Sequence, residues 1–201
     1  MHYTHDQSQG VYVFESRPLS IPVILGTSRK GRLSAHAAEF VYRELRKRDN
    51  VRTEVIDIAC LEHHFDDSGQ GSGDPRYSAS MAQADAIVIV APEYNHAMPG
   101  LLKHVLDSCL KEYIHKAAGI VAVSAGPFGG TRVVETSLPI LRELGLVTIF
   151  WDVNVGSVGK VFDEAGRLLD DAFVRRTDKF LTELIWMAKT LRYGRENVAL
   201  N

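Results

Sequence analysis

The chain has 201 residues, 45% of them hydrophobic and 24% charged, with a formal net charge of −2. That length suits one domain with a single core. The near-neutral balance offers no basic surface for nucleic acid or anionic lipid, and no apolar run approaches the roughly 20 residues of a membrane span. The first residues, MHYTHDQSQG, are polar and lack the apolar stretch of a signal peptide. Cys60 and Cys109 stand far apart in no metal-like spacing, so both are expected as reduced thiols in a cytoplasmic protein.

Residues 1–19 read as a loosely ordered leader, and residues 20–201 as one domain without repeats or linkers. SIPVILG (20–26) is a short apolar run ending in glycine, hence a buried strand. A helix follows from Ser34 to Arg48, with Ala35, Ala38, Val41, Tyr42 and Leu45 on one face and basic residues at its end. VRTEVIDI (51–58) alternates as a more exposed strand. Residues 59–75 are loop, broken by Gly69, Gly71, Gly73 and Pro75, and 76–84 form a short helix. AIVIVA (86–91) has the composition of a central strand. Pro99 to Leu110 reads as a helix that starts on proline, and AGIVAVSAG (118–126) as a fourth strand. Thr131 to Leu144 is a helix capped by Gly145, which Pro139 should kink or split. VTIFWDVNV (147–155) is a fifth strand. The helix Asp171 to Tyr193 closes the chain, burying Phe173, Phe180, Leu181, Leu184, Met187, Ala188 and Leu191. Strands alternating with helices predict an α/β protein with an open, doubly wound five-stranded parallel sheet. Length and strand count favour the flavodoxin-like order 2-1-3-4-5 over a six-stranded dinucleotide fold.

In such a sheet, ligands sit beyond the carboxyl ends of the strands, where the strand order reverses. Three unusual loops leave those ends. GTSRKGRLS (26–34) places the hydroxyls of Thr27, Ser28 and Ser34, together with Arg29, just before a helix N-terminus, a setting that favours a phosphate. It closes with no GK[ST] and contains no G-x-G-x-x-G, so neither the P-loop nor the dinucleotide fingerprint applies, although Asp57 ends the second strand. The plainer reading is a capped helix start with Ser34 as N-cap. APEYNHAMPG (91–100) is stiffened by Pro92 and Pro99, and Tyr94 and Asn95 suit a turn whose N–H groups face outward against a planar ring. SAGPFGG (124–130) carries glycines that let backbone approach a ligand closely. Each loop also has an ordinary structural explanation; convergence of all three on one rim is the stronger signal.

GTSRKGR-L-S, PEYNHAMPGLLKHVLD and SAGPFGG-TR closely resemble the NAD(P)H-dependent FMN reductase family over roughly residues 20–190, with the second motif the most specific. The resemblance implies a flavodoxin-like fold, non-covalently bound FMN, NADPH or NADH as co-substrate, a quinone, flavin, azo compound or metal oxyanion as acceptor, and a homodimer or tetramer. It implies that Ser28, Arg29 and Ser34, with Thr27 beside them, hold the FMN phosphate. Pro92, Glu93, Tyr94 and Asn95 would line the isoalloxazine, chiefly through backbone, and Ser124, Gly126, Phe128, Gly129 and Gly130 would meet its pyrimidine edge. There are two departures. Lys30-Gly31-Arg32-Leu33 lengthens the spacing from Arg29 to Ser34, and Ser108 stands where the family often has Trp.

The chemistry would belong to the cofactor, so no side-chain nucleophile or general base is expected. His96 reads either as a substrate contact or as a surface histidine. Lys30 and Arg32 read as readers of a 2′-phosphate or, more commonly, as solvated cations. Lys103 and Asp107 read as a solvated helix pair. His63-His64-Phe65-Asp66-Asp67 matches no standard metal set, and its place after the second strand suits a lid or substrate wall. Two other readings stay open: an FMN-binding redox sensor or electron carrier acting on a protein partner, and a flavodoxin-like interaction module without cofactor.

Overall fold

A computed structural model describes residues 17–64 and 73–200, together with the backbone of 3–6 and 11–14. Most of the leader, along with Phe65, Asp66, Asp67, Gly69 and Gly71, lies outside the described residues. In chain order the strands are β1 (Tyr3–Asp6), β2 (Val11–Phe14), β3 (Leu19–Ser20), β4 (Val23–Leu25), β5 (Val51–Arg52), β6 (Val55–Asp57), β7 (Ala86–Pro92), β8 (Ala117–Val123), β9 (Val147–Thr148) and β10 (Val153–Val155). The helices are α1 (Ser34–Arg46), α2 (Pro75–Gln83), α3 (Gly100–Asp107), α4 (Thr131–Glu143), α5 (Val158–Val161) and α6 (Asp171–Asn197). β1 and β2 form a separate antiparallel pair.

In the main sheet β6, β4, β7, β8 and β10 lie side by side in that order, all parallel, and β9 joins β8 at its foot. Successive side chains point to opposite faces of the sheet. Val23, Leu25, Val88, Val90, Val121, Val123, Val153 and Val155 meet α1 and α6 in one core cluster. Ile24, Ile56, Ile87, Ile89, Ile120 and Ala122 meet α2, α3 and α4 in the other. Every residue of β7 and β8 is buried, as expected of strands covered on both faces.

Several boundaries differ from those read in the sequence, each for a local reason. The first strand is interrupted at Pro22, which has no N–H for the ladder; β3 pairs with β5 and β4 with β6 on either side of it. Pro75 starts α2 rather than breaking a loop, with the Asp74 carboxylate accepting from Arg76 N–H at 2.8 Å as N-cap. α3 begins at Gly100 with Pro99 as its N-cap and ends at Asp107. α4 runs unsplit through Pro139, because Pro139 and Glu135 both lie on the exposed face, where water can take the carbonyl the proline leaves unpaired. The fifth strand is divided into β9 and β10, since the Glu183 carboxylate captures the N–H groups of Phe150 and Trp151, both at 3.1 Å, in place of a strand partner. α6 extends to Asn197, with Met187 and Leu191 only partly buried and Arg192 buried instead.

That last substitution has an electrostatic cause. Asp85, fully buried at the amino end of β7, accepts from Arg17 at 2.7 and 2.9 Å, from Arg195 at 2.9 Å and from Ser20 N–H at 3.1 Å, with Arg192 3.6 Å away. One carboxylate thus ties the chain entering the sheet to the end of α6. Asp85→Ala leaves these cations without their shared anion and is expected to lower stability by about 3–5 kcal/mol in equilibrium denaturation. Arg17→Ala, which removes one half-exposed partner of several, is expected to lower it by about 1 kcal/mol or less. Beside the β9–β10 gap, burial and then Glu135 and Glu183 raise the Asp152 pKa to about 6. Its ionisation therefore opposes folding, and the penalty grows as pH rises from the unfolded value toward and past 6. Asp152→Asn is expected to stabilise the protein by about 1 kcal/mol at pH 8, discounted for partial exposure, with the gain gone by pH 4 in thermal melts.

Candidate functional site

The loops after β4, β7 and β8 meet at one rim. Gly26 N–H donates to Val90 O at 2.9 Å, and Glu93 N–H to Val123 O at 2.9 Å, so each loop is registered on its neighbour as it leaves the sheet. The hydroxyls of Thr27 and Tyr94 are 3.0 Å apart, and the Arg29 guanidinium lies over the Tyr94 ring at 4.6 Å. On the other side, Arg132 pairs with Glu93 at 3.1 Å through its side chain and at 3.2 Å through its N–H.

The first loop is folded by its own residues. Buried Thr27 accepts from Arg29 N–H at 3.3 Å, and Ser28 and Arg29 are exposed beside it. Arg32 turns inward, donating to Thr27 O at 2.7 Å and pairing with Asp57. It is neither a solvated cation nor available to a 2′-phosphate, because its guanidinium fastens the loop to the end of β6; Lys30 remains exposed. Ser34 is not the N-cap. It is the first residue of α1, after Leu33, and its Oγ is buried with no hydrogen-bond partner. Buried hydroxyls are rarely left unpaired. Here the orphan hydroxyl sits at a helix N-terminus, a setting that favours an anion.

The second loop holds a tight turn. Tyr94 and Ala97 exchange both backbone hydrogen bonds, at 2.9 and 3.1 Å. Between them Asn95 and His96 take φ of 50° and 69°, the left-handed pair of a type I′ turn. This turn accounts for the density of stiff and polar residues after β7, and it presents Asn95 and His96 to solvent. Pro92 is buried as the last residue of β7. Lys103 and Asp107 pair with each other on the surface of α3.

In the third loop Ser124 Oγ donates to Gly126 O at 2.7 Å, and Asn154 Nδ2 donates to Gly129 O at 3.1 Å. Gly129 and Gly130 both have positive φ, 65° and 74°. A Cβ on Gly129 would stand 2.9 Å from Asn154 Cβ, and one on Gly130 2.9 Å from Ala122 Cβ. These glycines hold backbone where no side chain fits. A cavity of about 310 Å³ opens on the outer side of this loop, lined by Pro127, Phe128, Gly129, Asn154, Ser157 and Arg176 among others. Neither Arg29 nor Asn95 lines it, so it adjoins the rim rather than coinciding with it.

Arg132, Asn154 and Asp57 were not singled out as site residues by motif reading. Arg132 falls inside the quoted SAGPFGG-TR stretch, but its carboxylate partner is 39 residues away. The stretch after β6 is partly described: His63 Nε2 lies 2.8 Å from Ile58 O, and the His63 and His104 rings are edge-on at 6.1 Å. Ser108 packs directly beneath Gly73, where a Cβ on the glycine would stand 2.5 Å from its Oγ. A small residue there lets this segment lie on the end of α3.

A parallel sheet with helices on both faces and three glycine- and hydroxyl-bearing loops at its carboxyl rim defines a flavodoxin-like protein. Solved structures agree. The flavoenzyme NAD(P)H:(acceptor) oxidoreductase FerB from Paracoccus denitrificans superposes with a TM-score of 0.71 at 19% identity, covering 85% of this chain and 98% of that one. An NADH:FMN oxidoreductase superposes with a TM-score of 0.66 at 18% identity, over 86% and 89%. The sequence gives the finer assignment: residues 19–159 match the model of NADPH-dependent FMN reductase, and the chain belongs to that family. A quinone reductase of Escherichia coli is 31% identical over 168 residues, 77% of this chain and 87% of that protein. An NAD(P)H-dependent FMN reductase of Pseudomonas aeruginosa is 32% identical over 108 residues, 48% of this chain and 55% of that protein.

Gly130→Ala forces a Cβ into Ala122 at a left-handed backbone position. It is expected to destabilise the protein by about 2–4 kcal/mol, read as a lower midpoint in urea.

Proposed function

We propose that this rim binds FMN and that the protein passes reducing equivalents from NADPH or NADH to a small planar acceptor such as a quinone, flavin or azo compound. The unpartnered buried hydroxyl of Ser34 carries the reading. A phosphate at the start of α1 would accept from it, from Ser28 and from Arg29. Thr27 has a different part: its hydroxyl is shared with Tyr94 and Arg29 N–H, so it shapes the loop around the phosphate.

FMN held at this rim would supply the redox chemistry, exchange of reducing equivalents between a nicotinamide and the acceptor. The chain positions and polarises. Pro92, Glu93, Tyr94 and Asn95 form the wall along the ring, their turn fixed by the Tyr94–Ala97 pair. Ser124, Gly126, Phe128, Gly129 and Gly130 form the opposite edge, where backbone N–H groups can stabilise negative charge as an oxyanion hole does. His96, exposed at the tip of its turn, would contact the nicotinamide or the acceptor. The relatives' names include quinone reductases and an azoreductase, which supports a broad acceptor range. Assembly as a homodimer or tetramer in the cytoplasm fits the same reading.

The first test is the visible spectrum of the purified protein. Flavin bands that bleach on adding NADPH and return with a quinone are expected; a colourless protein that takes up no added FMN would refute the proposal. Ser34→Ala separates fold from site. Removing an unpartnered hydroxyl should leave the cofactor-free melting temperature equal or higher. FMN affinity should fall about tenfold by titration, the loss of roughly one charge-assisted hydrogen bond.

A further inference from the structure

Phe128 is 66% exposed at the tip of the third loop, yet it is held in place from three directions. Its carbonyl accepts from Thr131 Oγ1 at 2.8 Å and from Thr131 N–H at 3.3 Å. The next two residues are Gly129 and Gly130, packed so closely on Asn154 and Ala122 that neither has room for a Cβ. The Arg132 guanidinium lies 5.2 Å from the centroid of its ring. Arg132 is itself anchored twice to Glu93, whose side chain is only 10% exposed. Most of the ring stays in water, so it buries little area for the fold. The Arg132–Glu93 pair holds it in one place while leaving it open to a ligand. Phe128 also lines the cavity of about 310 Å³ beside the rim, so space for a ligand adjoins it.

The geometry points to Phe128 as the acceptor-specificity residue: a fixed aromatic shelf on which a planar, neutral, aromatic acceptor such as a naphthoquinone stacks, with Arg132, anchored by Glu93, as its positioning residue. This rests on the reading of the rim as a reductase site. Stacking of two rings requires a flat partner, so compact acceptors gain nothing from the shelf. Arg132 does not attract anionic acceptors, because the Glu93 carboxylate is paired with its charge.

The experiment compares 1,4-naphthoquinone with ferricyanide, an acceptor that takes electrons without stacking, on FMN-loaded protein. Phe128→Ala is expected to lower kcat/KM for the quinone about tenfold more than for ferricyanide, mainly through KM. It should also weaken quinone binding to the oxidised protein to a similar degree, read by flavin difference absorbance. Phe128→Tyr should restore both. Arg132→Met should shift the acceptor ratio in the same direction by about threefold, and in the double variant with Phe128→Ala it should add nothing further. Equal losses for both acceptors, or an unchanged ratio in Phe128→Ala, would overturn the shelf while leaving the reductase reading intact. A wild-type protein that binds FMN and oxidises NADPH with neither acceptor would overturn both.

Discussion

The structure depends on one constraint: its central strands all run the same way. A parallel strand cannot return by a tight turn, so each is followed by a crossover through a helix, and every strand-to-helix loop emerges at the same end of the sheet. Loops separated by more than sixty residues in the chain, such as those bearing Thr27 and Tyr94, therefore come within hydrogen-bond distance. The candidate site gathers at the carboxyl rim. The amino end is left for structural ties, and Asp85 with its arginines is the strongest of these. The two ends divide the work: a buried ion cluster that fixes the last helix, and a set of exposed loops that a ligand can reach.

The rim is preorganised by side chains that link its loops to one another. Arg32 and Asp57 hold the first loop from behind, Tyr94 links the first loop to the second, and Glu93 with Arg132 links the second to the third. These links are polar and mostly half-exposed, so they contribute little to global stability. They restrict which conformations the loops adopt, and that restriction lowers the ordering cost of binding. Among the described residues, Ser34 Oγ is the one buried side-chain polar atom of this rim left unpaired.

Departures from sequence expectation cluster where a distant residue decides a local outcome. Nothing near Phe150 and Trp151 announces that Glu183 will capture their N–H groups and divide a strand. Arg32 reads as one of several surface cations until Asp57 is brought beside it. Ser34 has the residue type and position of an N-cap, but Leu33 takes that place and leaves the hydroxyl buried and unpaired. Pro139 has the chemistry of a helix breaker, and only its solvent-facing position lets α4 continue.

Periodicity and composition were enough to determine the alternation of strands and helices, the burial of β7 and β8 on both faces, and the three motif-bearing loops, because these depend on neighbours within a few residues. The partners of Glu93, Arg32 and Asp85, the orphan hydroxyl of Ser34 and the fixed, exposed ring of Phe128 were decided only by tertiary structure. The physical reason is range. A hydrogen bond or ion pair needs its two atoms within about 3–4 Å, and for residues tens of positions apart only the folded sheet sets that distance.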